Sequence, residues 1–75
     1  MIKEAFAKEG VYIDNIEVAD SGEYSYFNIV TRDGTGFVFN IKVREFKDGE
    51  VVLRNIAEVK KEIEEMAKKI ASWIT

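Results

Sequence analysis

Two stretches of alternating residues, one on each side of Asp33-Gly34, constrain this chain more than any other feature. In residues 23–31, Ser25, Phe27, Ile29 and Thr31 fall on one face and Tyr24, Tyr26, Asn28 and Val30 on the other. In residues 36–46, Phe37, Phe39, Ile41 and Val43 make an unbroken apolar face, with Val38, Asn40, Lys42, Arg44 and Phe46 opposite. A period of two is the mark of a β-strand with one buried face. The joining turn decides whether the two apolar faces coincide. A three-residue loop closed by Gly34 in the left-handed region pairs Thr31 with Thr35, Ile29 with Phe37 and Phe27 with Phe39. A two-residue loop would set Asn28 beside Phe39, and a one-residue slip turns every side chain to the wrong face. The longer loop is therefore predicted.

The same reasoning applied to Phe46-Lys47-Asp48-Gly49-Glu50 predicts a second three-residue loop. It pairs Val43 with Leu53 and Glu45 with Val51, and makes residues 50–54 a short fourth strand with Leu53 inward. Residues 11–19 read as a strand whose phase changes. Val11 and Ile13 alternate on one parity, Ile16 and Val18 on the other, with Asp14-Asn15 at the switch. One extra residue restores the parity, so a bulge is predicted at Asp14-Asn15 and all four aliphatics reach one face.

Helices are predicted at both ends. Residues 2–9 place Ile2 and Phe6 on one face, and Gly10 is suited to end the helix in a left-handed conformation. So short a helix is marginal alone and must dock through those two side chains. Residues 55–74 carry Ile56, Val59, Ile63, Met66, Ile70 and Trp73 in steps of three and four, widened by Ala67, Ala71 and Ile74. Asn55 suits the N-cap, with Glu58 three residues on as in a capping box. The stripe is broader than a coiled-coil seam and fits a helix lying on a sheet. Its far end, Trp73 and Ile74, is expected to overhang and to be the part placed to reach a partner subunit. The expected fold is a single α+β domain over residues 1–75, ordered α-β-β-β-β-α. A four-stranded antiparallel meander carries the long C-terminal helix across one face and a short N-terminal helix beside it.

Composition narrows the function. The chain has 75 residues, with neither Cys, His nor Pro, 11 Lys and Arg against 14 Asp and Glu, and a formal charge of −3. Disulfides, thiol chemistry, a Cys/His zinc site, a Ser-His pair and an imidazole switch are all excluded. Acids and bases are uneven: residues 1–31 carry −4, residues 32–54 carry +1 and residues 55–75 carry zero. No signal-peptide pattern and no apolar run near ~20 residues occurs, so a cytoplasmic protein is expected. Lys and Glu are abundant, a direction also seen in thermophile proteins. No catalytic residue, metal ligand, cofactor or small-molecule substrate is expected.

The outward sheet face is the candidate binding surface. Tyr24 is expected opposite Lys42, Tyr26 opposite Asn40 and Asn28 opposite Val38, with Arg44 and Val30 flanking. Tyr and Arg anchor protein interfaces, whereas Tyr beside cations also stacks single-stranded bases. The preferred expectation is a non-catalytic module binding a protein partner or a second copy of itself through Tyr24, Tyr26, Asn28, Asn40, Lys42 and Arg44. Nucleic acid at the same face is the alternative, disfavoured by the acidic balance. A weaker alternative is an acidic inhibitor that mimics nucleic acid through Glu4, Glu9, Asp14, Glu17, Asp20 and Glu23.

Two partial patterns are set aside. Asp33, Glu45 and Lys47 resemble the metal-binding pattern of restriction-endonuclease-like folds, which implies phosphodiester hydrolysis. The predicted register puts Asp33 and Glu45 at opposite ends of a strand, too far apart to share an ion. The element order resembles that of double-stranded-RNA-binding domains, with Lys60-Lys61 near the start of the last helix. However, Glu58, Glu62, Glu64 and Glu65 surround those lysines, a fourth strand intervenes and the loop signature is missing. The last helix has four Lys and four Glu, so no cationic excess draws it to a membrane surface. Phosphate-loop and calcium-loop spacings are likewise missing.

Overall fold

The computed structural model describes residues 1–74. Helix α1 spans Ile2–Ala7, followed by strands β1 (Ile13–Ser21), β2 (Tyr24–Thr31), β3 (Gly36–Lys42), β4 (Arg44–Lys47) and β5 (Glu50–Leu53), then helix α2 (Ile56–Ile74). Strands β1, β2 and β3 form an antiparallel sheet in that order, and β4 with β5 forms a second, two-stranded one. The protein is thus a small α+β domain with a helix at each end.

The β2–β3 register is the one that alternation and turn chemistry predict. Phe27 faces Phe39, Ile29 faces Phe37, and Tyr24 faces Lys42. The loop has three residues. The Thr31 N–H donates to the Thr35 carbonyl at 2.9 Å, and Gly34 takes φ 88°. Asp33 completes the turn by accepting the Thr31 hydroxyl and, at 3.0 Å, the Thr35 N–H. Those bonds, the Thr31 hydroxyl first, hold the Asp33 carboxyl below its usual pKa.

Strand β1 carries the predicted irregularity. Ile13 pairs with Thr31 but Asn15 pairs with Val30, so the register slips by one between them. After the slip Ile16 faces Ile29 and Val18 faces Phe27, which brings the aliphatics to the inner face. Val11 and Ile13 are buried, while Val18 remains 57% exposed beyond the cover of the helices.

Both helices cover that inner face. Phe6 of α1 is fully buried, with its ring centroid 5.5 Å from that of Phe37 and 5.9 Å from that of Phe39. Burying such a ring contributes about 1.5–3 kcal/mol, which is how six residues of helix become stable. The helix ends as predicted at a left-handed Gly10, φ 81°. The Val11 N–H donates to the Phe6 carbonyl and the Gly10 N–H to the Ala7 carbonyl, the paired bonds of a Schellman motif. From α2, Val59, Ile63, Ala67, Ile70 and Ala71 are buried. Asn55 caps α2, its Oδ1 accepting the Ala57 N–H at 2.8 Å. Glu58 does not close a capping box; it lies 3.6 Å from Arg54.

The last hairpin departs from expectation. The third strand breaks at Val43, where the N–H groups of both Val43 and Arg44 converge on the Glu23 carbonyl at 2.8 and 3.0 Å. Two residues opposite one is a bulge, and it bends the chain out of the first sheet. The following turn has two residues, not three. Asp48 at φ 52° and Gly49 at φ 77° have the two positive φ angles of a type I′ hairpin. Arg44 therefore pairs with Leu53, and Glu45 with Val52, one residue off the predicted register. Leu53 is not inward but 77% exposed. The molecule measures 44 × 20 × 18 Å. Since a 19-residue helix is only about 28 Å long, the hairpin accounts for the extra length by projecting from the body.

Candidate functional site

Antiparallel pairing puts residues that face one another on the same side of the sheet. The outward side thus contains Asn15, Glu17, Ala19 and Ser21 from β1, Tyr24, Tyr26, Asn28 and Val30 from β2, and Gly36, Val38, Asn40 and Lys42 from β3. Five of the six predicted site residues, Tyr24, Tyr26, Asn28, Asn40 and Lys42, stand together there. The sixth, Arg44, does not. The bulge carries it into β4, where its guanidinium lies 3.5 Å from the Gly22 carbonyl at the turn beside Tyr24.

The face is nearly free of charge. Glu17 and Lys42 are the charged residues among those positions, and Lys42 is neutralised by Glu23 at 3.2 Å. Tyr24 and Tyr26 are 38% and 42% exposed, with ring centroids 6.3 Å apart, and Val38 is 66% exposed. The small side chains of Ala19 and Ser21, opposite Tyr26 and Tyr24, leave the rings open on the β1 side. Chemically, this is a flat surface with two hydroxyl-tipped rings and two amides, Asn28 and Asn40, able both to donate and to accept.

A cleft opens beside this face, between the outer edge of β3 and α2. Tyr24, Asn40 and Lys42 border it on one side and Glu62, Glu65 and Lys69 on the other. Arg54 closes one end. Its Nη1 donates to the Lys42 carbonyl at 2.8 Å and to Glu62 at 2.5 Å, while its N–H donates to the Val43 carbonyl at 2.9 Å. Arg54 thus joins the projecting hairpin to both the first sheet and α2. Sequence reasoning gave it no role; its spacing from Glu58 was the available signal, and that pair is the weaker contact. The exposed Phe46, Val51 and Leu53 on the hairpin were also missed, because the predicted register turned Leu53 inward.

Other sequence candidates are dispersed. Asp33 and Glu45 lie beyond opposite ends of β3, whose seven residues span about 23 Å. Of the six acids considered for nucleic-acid mimicry, Glu4 is bound to the Met1 amino group, Glu23 to Lys42, and Asp20 accepts the Ser25 hydroxyl. Among the described residues, no three acids come together in a metal-holding group, and no helix is long and apolar enough to cross a membrane. No protein-family model matches the chain, and neither a curated protein nor a solved structure matches it.

Proposed function

We propose that this protein is a small non-catalytic interaction module that binds a protein partner through its outward sheet face. The reading rests on one observation: Tyr24, Tyr26, Asn28, Val38 and Asn40 form a contiguous exposed surface, and Lys42 at its border is already paired with Glu23. Interface centres are depleted of charge and enriched in Tyr. Phosphate recognition has the opposite requirement, several unpaired cations. The same face therefore supports a protein partner better than a nucleic acid.

Affinity capture from the source cells with three baits tests this: wild type, Tyr26→Ala and Glu50→Ala on the remote hairpin. A partner retained by wild type and Glu50→Ala but lost with Tyr26→Ala is the expected result. Retention by all three baits would overturn the assignment of the face. So would salt-sensitive oligonucleotide shifts at the Tyr24, Tyr26 and Lys42 amides, which would restore the nucleic-acid alternative.

A further inference from the structure

The outer edge of β3 is unprotected, and the pairing pattern shows which of its groups are free. Backbone hydrogen bonds alternate sides along a strand. The Thr31–Thr35 and Val43–Glu23 bonds fix that alternation for β3. Phe37, Phe39 and Ile41 direct their N–H and C=O groups to β2, while Gly36, Val38 and Asn40 direct theirs away from it. Among the described residues no strand pairs with β3 on that side; α2 stands across the cleft from it, and Arg54 takes only the Lys42 carbonyl at its end. From Gly36 to Ile41 it contains no charge, no proline and no bulge. The other edge of the sheet, β1, is guarded by a bulge at Ile13/Asn15 and by exposed Asp14, Glu17 and Asp20. Open edges invite strand addition, and bulges and charges are what block it.

We infer that two copies of this chain pair edge to edge through β3, antiparallel and two-fold symmetric, into one six-stranded sheet. Two observations select a second copy as the occupant. First, the free groups are self-complementary. Centring the two-fold on Val38 places Gly36 opposite Asn40 of the second copy and sets Phe37 beside its Phe39 on the inner face. The new ladder ends at Gly36 and Asn40, because the Lys42 carbonyl is held by Arg54 and its ammonium by Glu23. Pairing between β3 and β1 would be head-to-tail and would not close, whereas β3–β3 pairing closes as a dimer.

Second, α2 carries an exposed aromatic one turn beyond the cleft that runs along this edge. Lys69 borders the cleft along β3, and Trp73, four residues on, lies on the same line of α2. Trp73 is 70% exposed, with the Lys69 ammonium 5.7 Å above its ring. A second sheet added at β3 brings a second α2 alongside the first, and Trp73 projects into the space between them. Tryptophan is the residue most enriched where interfaces hold their energy.

This goes beyond the face-binding proposal, since it uses the strand edge, and either can hold without the other. Sedimentation equilibrium over a range of protein concentrations tests it. Wild type is expected to reach twice the 8.6 kDa chain mass, with Trp73 emission moving to shorter wavelength as the dimer forms. The Val38 N–H points to the open side, so Val38→Pro removes no bond within the monomer and should leave a folded monomer. Val38→Lys and Val38→Glu place like charges face to face and should each be monomeric, and their mixture should recover the dimer. Tyr26→Ala, on the central strand, should still dimerise. A wild type that stays monomeric at its solubility limit overturns the proposal. So does growth past the dimer, dimerisation by Val38→Lys alone, or loss of the dimer in Tyr26→Ala. Should the proline variant fail to fold by circular dichroism, the Lys/Glu mixture still decides.

Discussion

Replacing Phe6 with alanine tests how this small domain holds together. Phe6 lies in the shortest helix yet is fully buried, with Phe37 and Phe39 at 5.5 and 5.9 Å. Core Phe→Ala substitutions cost about 3–5 kcal/mol, combining lost transfer energy with the cavity left behind. At ~0.05–0.15 kcal/mol per residue, a 75-residue chain has a total stability of about 4–11 kcal/mol. The substitution should therefore remove at least about a quarter of it. Phe6→Leu keeps most of the volume but neither ring contact, and should cost about 1–2 kcal/mol. Urea titration followed by far-ultraviolet circular dichroism reads both values. The midpoint should fall in the order wild type, Leu, Ala, with the slope unchanged. A Phe6→Ala cost below about 1 kcal/mol would mean that α1 is not a docked element, and the argument that tertiary burial stabilises it would be wrong.

Three further expectations follow from individual contacts. Arg54→Met should cost about 1–2 kcal/mol, a range kept low because Glu58 and Glu62 are partly solvated. Its effect should appear as faster amide exchange in β4 and β5 with β2 unchanged; uniform acceleration would show that Arg54 does not pin the hairpin. Gly34→Ala should cost about 1–2 kcal/mol from φ alone, since nothing lies within 4 Å of the added Cβ. Gly36→Ala, at an ordinary φ, should be near neutral, and equal thermal shifts for the two would refute the turn assignment. Asp33 has a folded pKa below its ordinary 3.8. Its contribution to stability is complete above the unfolded value and is lost as pH falls through the folded one. Wild type should lose stability on acidification below about pH 4 faster than Asp33→Asn, and parallel curves would contradict the Thr31–Asp33 bond.

Some of this molecule is written locally in its residues. The β2–β3 register was legible because Phe27, Ile29, Phe37 and Phe39 must share a face and only one loop length at Asp33-Gly34 allows it. The bulge in β1 was legible because Ile13 and Ile16 differ in parity. The stripe on α2 and the end of α1 at Gly10 follow from spacing and from glycine's freedom at positive φ. Five of the proposed binding residues shared a face on paper because alternation is a local property of a strand.

The course of the chain after Lys42 was decided in three dimensions. Val51 and Val52 are both apolar, so alternation does not specify which of them faces which neighbour. Asp48-Gly49 is compatible with either loop length. The choice came from distant groups: the Glu23 carbonyl, which takes two successive N–H donors, and Arg54, which reaches Lys42 and Glu62 together. That choice removed Arg44 from the candidate site, exposed Leu53 and left the edge of β3 open. Alternation specifies which way side chains point along a strand, but which strand comes to lie beside it is set by contacts between residues far apart in the chain.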